Sequence, residues 1–131
     1  MRLVTASYAA WRREFGAPVV ASLALPKTVP EAASWPRCWA LTPRWAYFRA
    51  DEQVFEQAYL AQLERYGVGN IRGQLERIAA AGFAEPQETL VVLCFESDPF
   101  ACHRGIWRCW WHEHVGEWAD DVSELEGRDA C

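Results

Sequence analysis

The sequence predicts a single α/β domain over residues 1–131, with a loosely held acidic tail over about residues 126–131. A chain of 131 residues is long enough to bury a true hydrophobic core without disulfide staples. Residues 90–95 form a short apolar run, which is typical of an interior strand in a covered sheet. Segments with strand and helix patterns follow one another along the chain, and this order indicates the α/β class.

The first strand is expected at residues 2–6. Ser7 is a favoured helix cap and predicts a short helix over residues 8–15, which Gly16 ends. Because the apolar start is short and charged residues follow soon after, we interpret it as a strand and not as a signal peptide.

A second strand is expected at residues 18–25, ended by Pro26. Residues 26–44 carry four prolines and few periodic apolar positions, which predicts an irregular loop. Residues 38–41 within it have the composition of a short edge strand. Loops of this length in compact domains are often functional.

Two helices are expected before the strand at residues 90–95. Asp51 caps the first, and the glycines of residues 67–69 break it. Asn70 caps the second, and Gly82 follows its end. Near the end of the chain, residues 122–125 predict either a last short strand or a turn.

Chemically capable side chains crowd into the segment that follows the apolar strand. Asp98 and Pro99 form a favoured helix start, because Asp is a good N-cap and Pro suits the first helical position. In open α/β sheets, ligands bind in the crevice beyond the carboxyl ends of the strands. The candidate catalytic residues are therefore Cys94, Glu96, Cys102, His103 and Arg104.

The start of this helix also predicts an anion site. Partial positive charge in the first turn makes His103 and Arg104 unfavourable there unless an anion offsets them. The same field favours the thiolate of a nearby cysteine, so either Cys94 or Cys102 is the candidate nucleophile. Glu96 is then the general acid or base, Arg104 the anion clamp, and His103 the group that tunes the thiol.

Each of these residues also has an ordinary structural explanation. Cys94 is compatible with a buried core thiol, and Glu96 with Arg104 is compatible with an ion pair across the loop. A metal site is a further alternative, with Cys94, Cys102 and His103 as its ligands. The close ligand pairs of structural zinc sites are lacking, and no motif identifies a cofactor.

Composition limits the partners. The net charge is -5, so nucleic acid binding would need a local basic patch. No apolar run approaches the ~20 residues of a membrane span, and we expect a cytoplasmic protein without membrane contact. The five cysteines lack the framework of a small secreted domain and suit reduced thiols. The sequence does not indicate an oligomeric state.

Tryptophan is unusually frequent, and three of the eight, Trp107, Trp110 and Trp111, fall in the helix of the motif. They spread over almost half of the helix circumference, which is too wide for one narrow seam. Some are therefore expected to face a neighbour, another chain or a ligand. The alternative is that all three fill the core.

Residues 93–104 resemble the signature of the domain of unknown function 488 family, in which a strand ending in Leu-Cys-x-Glu is followed by Cys-His-Arg. Further support comes from Thr5-Ala6-Ser7-Tyr8, Ser22, Pro26 and Leu41-Thr42-Pro43. The resemblance implies a mostly parallel sheet of about four or five strands with helices on both faces, a Rossmann-like three-layer arrangement. It implies a site formed by Cys94, Glu96, Cys102, His103 and Arg104, with Ser7, Tyr8 and Ser22 as ligand-binding residues.

One position departs from the family pattern. Many relatives have Arg just after the position that matches Ser22, and this chain has Leu23 there. If that Arg serves an anion in relatives, this protein binds a less charged molecule, or binds an anion through Arg104 or Arg44 alone.

The function predicted from the sequence is an enzyme that acts on a small anionic molecule, such as a nucleotide or a modified base that bears phosphate or carboxylate. The reaction class is a thiol-dependent transferase or hydrolase. One alternative is a non-catalytic module that binds a ligand, nucleic acid or protein through the Trp-rich helix. The other is a metal-binding protein.

Overall fold

The structure is a computed structural model that describes residues 1–96 and 103–125. It contains one parallel sheet of four strands in the order β2-β3-β1-β4, and this confirms the α/β class. The strands are β1 (Arg2–Ser7), β2 (Ala17–Val20), β3 (Thr89–Cys94) and β4 (Asp120–Asp121). The long helices are α1 (Glu52–Ala81) and α2 (His103–Val115). Short 3-10 helices occupy Arg13–Phe15, Pro30–Ser34 and Trp39–Leu41.

The right-handed rule for parallel crossovers explains which face each connection covers. The chain moves from β1 to β2 in one direction across the sheet, and then from β2 to β3 and from β3 to β4 in the other. Connections of opposite direction lie on opposite faces, so α1 and α2 share a face and pack against each other. Beyond Ser7 and Cys94 the chain therefore leaves the paired strands β1 and β3 toward opposite faces. The crevice that this divergence opens is the usual place for a ligand in such a sheet.

Both faces of the sheet are buried because side chains alternate along each strand. In β3, Leu90 and Val92 pack beneath α1 and α2, whereas Val91 and Leu93 pack on the other face. In the described part of the chain, the long helices cover only the first face. Apolar residues from the 3-10 helices at Arg13–Phe15 and Pro30–Ser34 pack on the second.

The tryptophans of α2 fill the core. Trp107, Trp110 and Trp111 are 0%, 4% and 2% exposed. All three are buried, as the core alternative predicts. Trp110 also lines a groove between α1 and α2, so the expectation that some of the three face a neighbour, another chain or a ligand stays a prediction. Large apolar side chains are exposed instead on the loop before α1, where Trp39, Trp45 and Phe48 lie.

The predicted helix over residues 8–15 is wrong except for its last turn, the 3-10 helix Arg13–Phe15. The backbone N–H of Tyr8 donates to the carbonyl of Cys94 at 3.0 Å. This bond extends the pairing of β1 with β3 to Tyr8, and the chain then makes a single turn, in which the N–H groups of Ala10 and Trp11 donate to the carbonyl of Ser7 at 3.2 and 3.1 Å.

β2 ends earlier than the predicted strand over residues 18–25. The N–H of Ala21, the residue after β2, still donates to the carbonyl of Leu93 in β3 at 3.1 Å. β3 ends at Cys94, one residue after Leu93. The predicted edge strand at residues 38–41 is also wrong, because Trp39–Leu41 is a 3-10 helix. Only an isolated bridge joins Val20 to this loop.

The predicted break between two helices is confirmed at one residue. Gly67 has φ +78° and ψ 159°, a conformation that suits glycine, and it kinks α1. Helical geometry resumes directly after it, so Asn70 lies inside the helix and is not a cap. Asp51 does cap α1, since its carboxylate accepts from the N–H of Val54 at 3.0 Å.

Residues 122–125 are helical, so the predicted strand or turn is wrong. Asp121 ends β4 and caps this turn, because its carboxylate accepts from the N–H of Ser123 at 3.2 Å. The carboxylate of Glu124 accepts in return from the N–H of Asp121 at 2.9 Å, which completes a reciprocal cap. The predicted tail over about residues 126–131 lies outside the described residues. Within the described ranges, no helix combines the length and apolar character needed to cross a bilayer.

Candidate functional site

A small pocket lies at the carboxyl edge of the sheet, where the sequence predicted a site. Its volume is about 110 Å³. Four of the predicted site residues line it, namely Ser22, Cys94, Glu96 and His103. Ser22 follows β2, Cys94 ends β3 and His103 begins α2, so the strand ends and the helix start converge here. Cys102 and the predicted cap at Asp98 and Pro99 lie outside the described residues.

Cys94 is in contact with a buried guanidinium. The Nη1 atom of Arg104 lies 2.8 Å from the sulfur, and Cys94 and Arg104 are each 1% exposed. Arg104 also donates from Nη1 to the backbone carbonyl of Glu96. A cationic donor that points at sulfur favours the thiolate over the thiol. The arrangement can therefore activate Cys94 as a nucleophile.

Arg104 has a carboxylate partner that the sequence did not reveal. Its Nε donates to Oδ1 of Asp121 at 2.9 Å, and both side chains are 1% exposed. The hydroxyl of Thr5 donates to the same oxygen at 2.6 Å. Glu96, in contrast, contacts Arg104 through its carbonyl, so the ion pair weighed for these two residues is made by Asp121 instead. Arg104 is thus held by β4 on one side and faces the thiol on the other.

Asp121 is ionised in this setting. Burial alone would raise the pKa of its carboxyl, but hydrogen bonds from Ser123 and Thr5 and the charge of Arg104 together lower it below its usual value. An ionised Asp121 compensates the buried charge of Arg104. Ser123 contributes both its N–H and its hydroxyl to this carboxylate, the hydroxyl at 2.6 Å.

His103 is neutral at physiological pH. Burial lowers the pKa of the imidazole to about 4, against a hydrogen bond to Ala21 that raises it, and the charge of Arg104 lowers it further. Its Nε2 lies 2.6 Å from the carbonyl of Ala21, so this nitrogen carries the proton. The ring also meets Tyr59 edge to face at 5.4 Å. His103 therefore ties α2 to the end of β2 and supplies no positive charge.

Tyr8 and Ser22 form a hydrogen-bonded chain beside the pocket. The hydroxyl oxygens lie 2.6 Å apart, and the Ser22 hydroxyl donates to the carbonyl of Ala24 at 2.7 Å, so Tyr8 is the donor between them. Burial raises the pKa of the Tyr8 phenol. Ser7, the third residue implied as ligand-binding, is buried and accepts from the N–H of Ala10 at 3.1 Å. All three hydroxyls therefore have partners within the protein.

The guanidinium nearest Ser22 belongs to Arg37. Its Nη2 donates to the carbonyls of Ser22 and Leu23, at 2.9 and 3.2 Å. Arg44, considered above as an anion ligand, instead donates to the hydroxyl of Tyr66 and is not among the residues that line the pocket. Arg37 thus binds the backbone that follows β2.

A larger groove adjoins the pocket on the helical face of the sheet. It has a volume of about 520 Å³ and lies between the first half of α1 and α2. The two cavities share Phe48, Glu96 and His103, so they lie side by side. Aromatic side chains of Phe48, Phe55 and Trp110 and the carboxylates of Glu52, Glu56, Glu96 and Glu113 line the groove.

The other described cysteines differ from Cys94. Cys38 is buried, and burial raises the pKa of its thiol to about 11. Cys109 is exposed and lines the groove. Within residues 1–96 and 103–125, no three His, Cys, Asp or Glu side chains are placed to hold a metal ion together. The metal alternative involved Cys102, which lies outside these ranges, and it stays a prediction.

The sequence missed Asp121, Thr5 and Arg37. Residues 121–124 do carry the Asp-x-x-Glu pattern of a capping box, which could have marked Asp121 as a helix cap. No local pattern shows that its carboxylate faces Arg104, because that contact depends on how β4 pairs with β1.

The chain was compared with family models, with curated proteins and with solved structures, and none of them matches it. The resemblance to the domain of unknown function 488 family thus stays a prediction.

Proposed function

We propose that the protein is a thiol-dependent enzyme that acts on a small molecule, with Cys94 as the nucleophile. The contact between Arg104 Nη1 and the Cys94 sulfur carries this proposal. Because Cys94 and Arg104 are almost fully buried, the guanidinium stabilises a thiolate more strongly than it would at the surface. The volume of about 110 Å³ admits only a small reacting group.

The reaction begins when the thiol proton passes to Glu96 at the mouth of the pocket. The sulfur then bonds to an electrophilic carbon of the substrate, and the bond to the leaving group breaks with its electron pair. The leaving group takes the proton from Glu96. Water in a hydrolase, or a second substrate in a transferase, then attacks the carbon and displaces the sulfur. The proton that this second nucleophile loses goes to the sulfur and restores the thiol of Cys94.

Asp121 and Thr5 are positioning residues in this scheme. The carboxylate of Asp121 fixes the guanidinium through Nε, which leaves Nη1 directed at the sulfur. Thr5 fixes the carboxylate from the neighbouring strand. His103 is a positioning residue as well, because its bond to Ala21 sets the distance between the start of α2 and the end of β2.

An anionic substrate, predicted from the sequence, keeps one source of support. Arg37 does not line the pocket, but it donates to the carbonyl of Ser22, which does, and its Nε is buried without a hydrogen-bond partner among the described residues. Arg104 supports an anion less, since Asp121 already balances its charge. Added inorganic phosphate tests this point, because an anion bound beside Ser22 would slow the modification of Cys94.

The test is the pH dependence of iodoacetamide labelling in the native protein, resolved by peptide mass spectrometry. We expect Cys94 to label at neutral pH with a midpoint clearly below that of a free thiol. Exposed Cys109 supplies the internal reference, and Cys38 should label only at high pH. If Cys94 stays inert until the protein is unfolded, the nucleophile proposal fails.

A non-catalytic binding module is a second candidate, favoured by the exposed aromatics before α1. Trp39 is 50% exposed, with the guanidinium groups of Arg37 and Arg44 at 4.8 and 5.4 Å from its ring. Arginines beside an exposed tryptophan suit single-stranded nucleic acid despite the net negative charge. This candidate predicts that a fluorescent single-stranded oligonucleotide binds in low salt and that Trp39→Ala abolishes the binding. Equal binding by the variant would remove it.

A further inference from the structure

The groove beside the Cys94 pocket carries negative charge that nothing in the described structure neutralises. Glu52 and Glu56 lie one turn apart on α1, an arrangement in which like charges repel. Glu113 faces them from α2, and Glu96 stands where the groove meets the pocket. Among residues 1–96 and 103–125, none of these four carboxylates has an ion-pair partner.

The described residues that line the groove carry charge of only one sign. No lysine or arginine is among the described residues that line it, and His103, which does, is neutral at physiological pH. Phe48, Phe55 and Trp110 supply aromatic faces to the same cavity. Aromatic faces attract cations through the quadrupole of the ring, and carboxylates attract them through charge. An ammonium or guanidinium group is the ligand that both features favour.

The groove also leads to the proposed nucleophile. Because three residues line both the groove and the 110 Å³ pocket, a molecule held in the groove lies next to the pocket. The pocket is too small for more than a reacting group, and the groove has about 520 Å³ for the rest. Carboxylates at the entrance lower the local concentration of anions and raise that of cations.

We propose that the substrate is an amine or guanidine compound whose positive charge lies in this groove while its reacting group enters the Cys94 pocket. This inference rests on the proposed function, since it assigns the substrate of the same thiol. It differs in the sign of the charge from the anionic molecule predicted by the sequence. A cationic substrate predicts that Cys94 reacts faster with cationic reagents, whereas an anionic substrate predicts that it reacts faster with anionic ones.

The experiment compares three methanethiosulfonate reagents on the native protein at low salt: the cationic aminoethyl, the neutral methyl and the anionic sulfonatoethyl compound. The rate at which each forms a mixed disulfide with Cys94 is measured by mass spectrometry and divided by its rate with free N-acetylcysteine. We expect the cationic reagent to exceed the anionic one by about tenfold, and salt to reduce the ratio.

The double variant Glu52→Gln, Glu56→Gln removes two charges from the groove wall and should lower this ratio at least about threefold while the neutral reagent keeps its rate. Glu76→Gln with Glu85→Gln is the matched control, because both residues are exposed, neither lines the groove, and the change in net charge is the same. The control should keep the wild-type ratio.

The outcomes separate the inference from the proposed function. Equal rates for the three reagents, or a faster anionic reagent, would overturn the cationic substrate while Cys94 remains a reactive thiol. An equal fall in the ratio for both double variants would show an effect of net charge and overturn the role of the groove. If no reagent modifies Cys94 in the native protein, the proposed function fails and the inference falls with it.

Discussion

Two buried arginines lie one turn apart on α2 and serve different parts of the molecule. Arg104 and Arg108 are 1% and 0% exposed, and each pairs with an acidic side chain from the segment after α2, Asp121 and Glu124. Arg104 then continues to the sulfur of Cys94. Arg108 instead donates from Nε to the carbonyl of Ala119 at 2.8 Å, and its guanidinium lies 4.4 Å from the ring of Trp118.

The difference shows how a buried arginine–carboxylate pair becomes part of a candidate site. Both arginines join α2 to the end of the described chain, and both need a carboxylate because a buried charge without a partner is costly. Arg104, which lies nearer the carboxyl edge of the sheet, contacts the sulfur of Cys94, whereas no cysteine in the described part of the chain is hydrogen-bonded to Arg108. Arg108 is therefore the natural control for Arg104, since it shares the burial and the type of partner but not the thiol.

The largest effect should come from removing the carboxylate of Asp121. Asp121→Asn removes the carboxylate that pairs with the buried guanidinium of Arg104, and we expect a loss of about 3–5 kcal/mol in the free energy of unfolding. Glu124→Gln should cost about 1 kcal/mol, because the side chain at this position is 32% exposed and the amide oxygen of Gln can still accept from Arg108. Urea unfolding measures both. Equal losses would mean that the two ion pairs contribute equally to stability, which would contradict the difference expected between them.

The next largest effect should be a loss of folding stability in acid, caused by protonation of His103, the neighbour of Arg104. The pKa of His103 is lowered to about 4 in the fold, beside Arg104, against about 6.5 in the unfolded chain. Its contribution to stability is complete above pH 6.5 and is lost as the pH falls toward 4, and we expect a loss of about 2–3 kcal/mol. His103→Gln should remove this slope between pH 6.5 and 4. The exposed His112→Gln should keep it, and an unchanged slope in His103→Gln would assign it elsewhere.

The two arginines should also differ in their effect on the reactivity of the Cys94 thiol, by a smaller free energy. Arg104→Met removes the donor to Cys94, and we expect iodoacetamide labelling of Cys94 at neutral pH to slow about tenfold, which corresponds to ~1.4 kcal/mol. Arg108→Met should leave the rate within about twofold once both variants are shown to be folded by circular dichroism. Arg104→Lys should recover part of the rate. A similar slowing in both methionine variants would trace the effect to loosened packing of α2.

The smallest effect is expected at Tyr8, whose hydroxyl is near the pocket but donates to Ser22. Tyr8→Phe should cost about 1 kcal/mol of unfolding free energy, since one buried hydrogen bond is lost. Cys94 labelling should stay within about twofold, because the guanidinium contact is intact. A larger change in labelling would place the phenol in the activation of the thiol, beside Arg104.

The sequence predicted the parts of the site that lie close together in the chain. Cys94, Glu96 and His103 line one pocket because a strand end and the next helix start meet at the same edge of a parallel sheet, and local patterns identify both. The fold class followed from the order of strand and helix patterns in the same way. Element ends were less predictable, as at Ser7, whose hydroxyl caps a single turn and not the longer helix that was predicted.

Long-range contacts decided what the sequence could not reveal. Thr5 and Asp121 are 116 positions apart, and no pattern at either residue indicates the other. Likewise, a histidine in the first turn of a helix suggests a cation, whereas the carbonyl of Ala21 and burial keep His103 neutral. Such effects depend on which groups the fold brings near, and a single sequence does not state them.

The pairing of β4 with β1 has a consequence for synthesis of the chain. Of the four strands, β1 is the first to emerge from the ribosome, yet Thr5 meets Asp121 only after the following 116 residues have been made. Closing so long a loop is slow and costs entropy, and until it closes the carboxylate of Asp121 cannot pair with Arg104. A nascent chain that stalls before Asp121 should therefore leave the β1 edge of the sheet unpaired at Val4 and Thr5, where β4 would add.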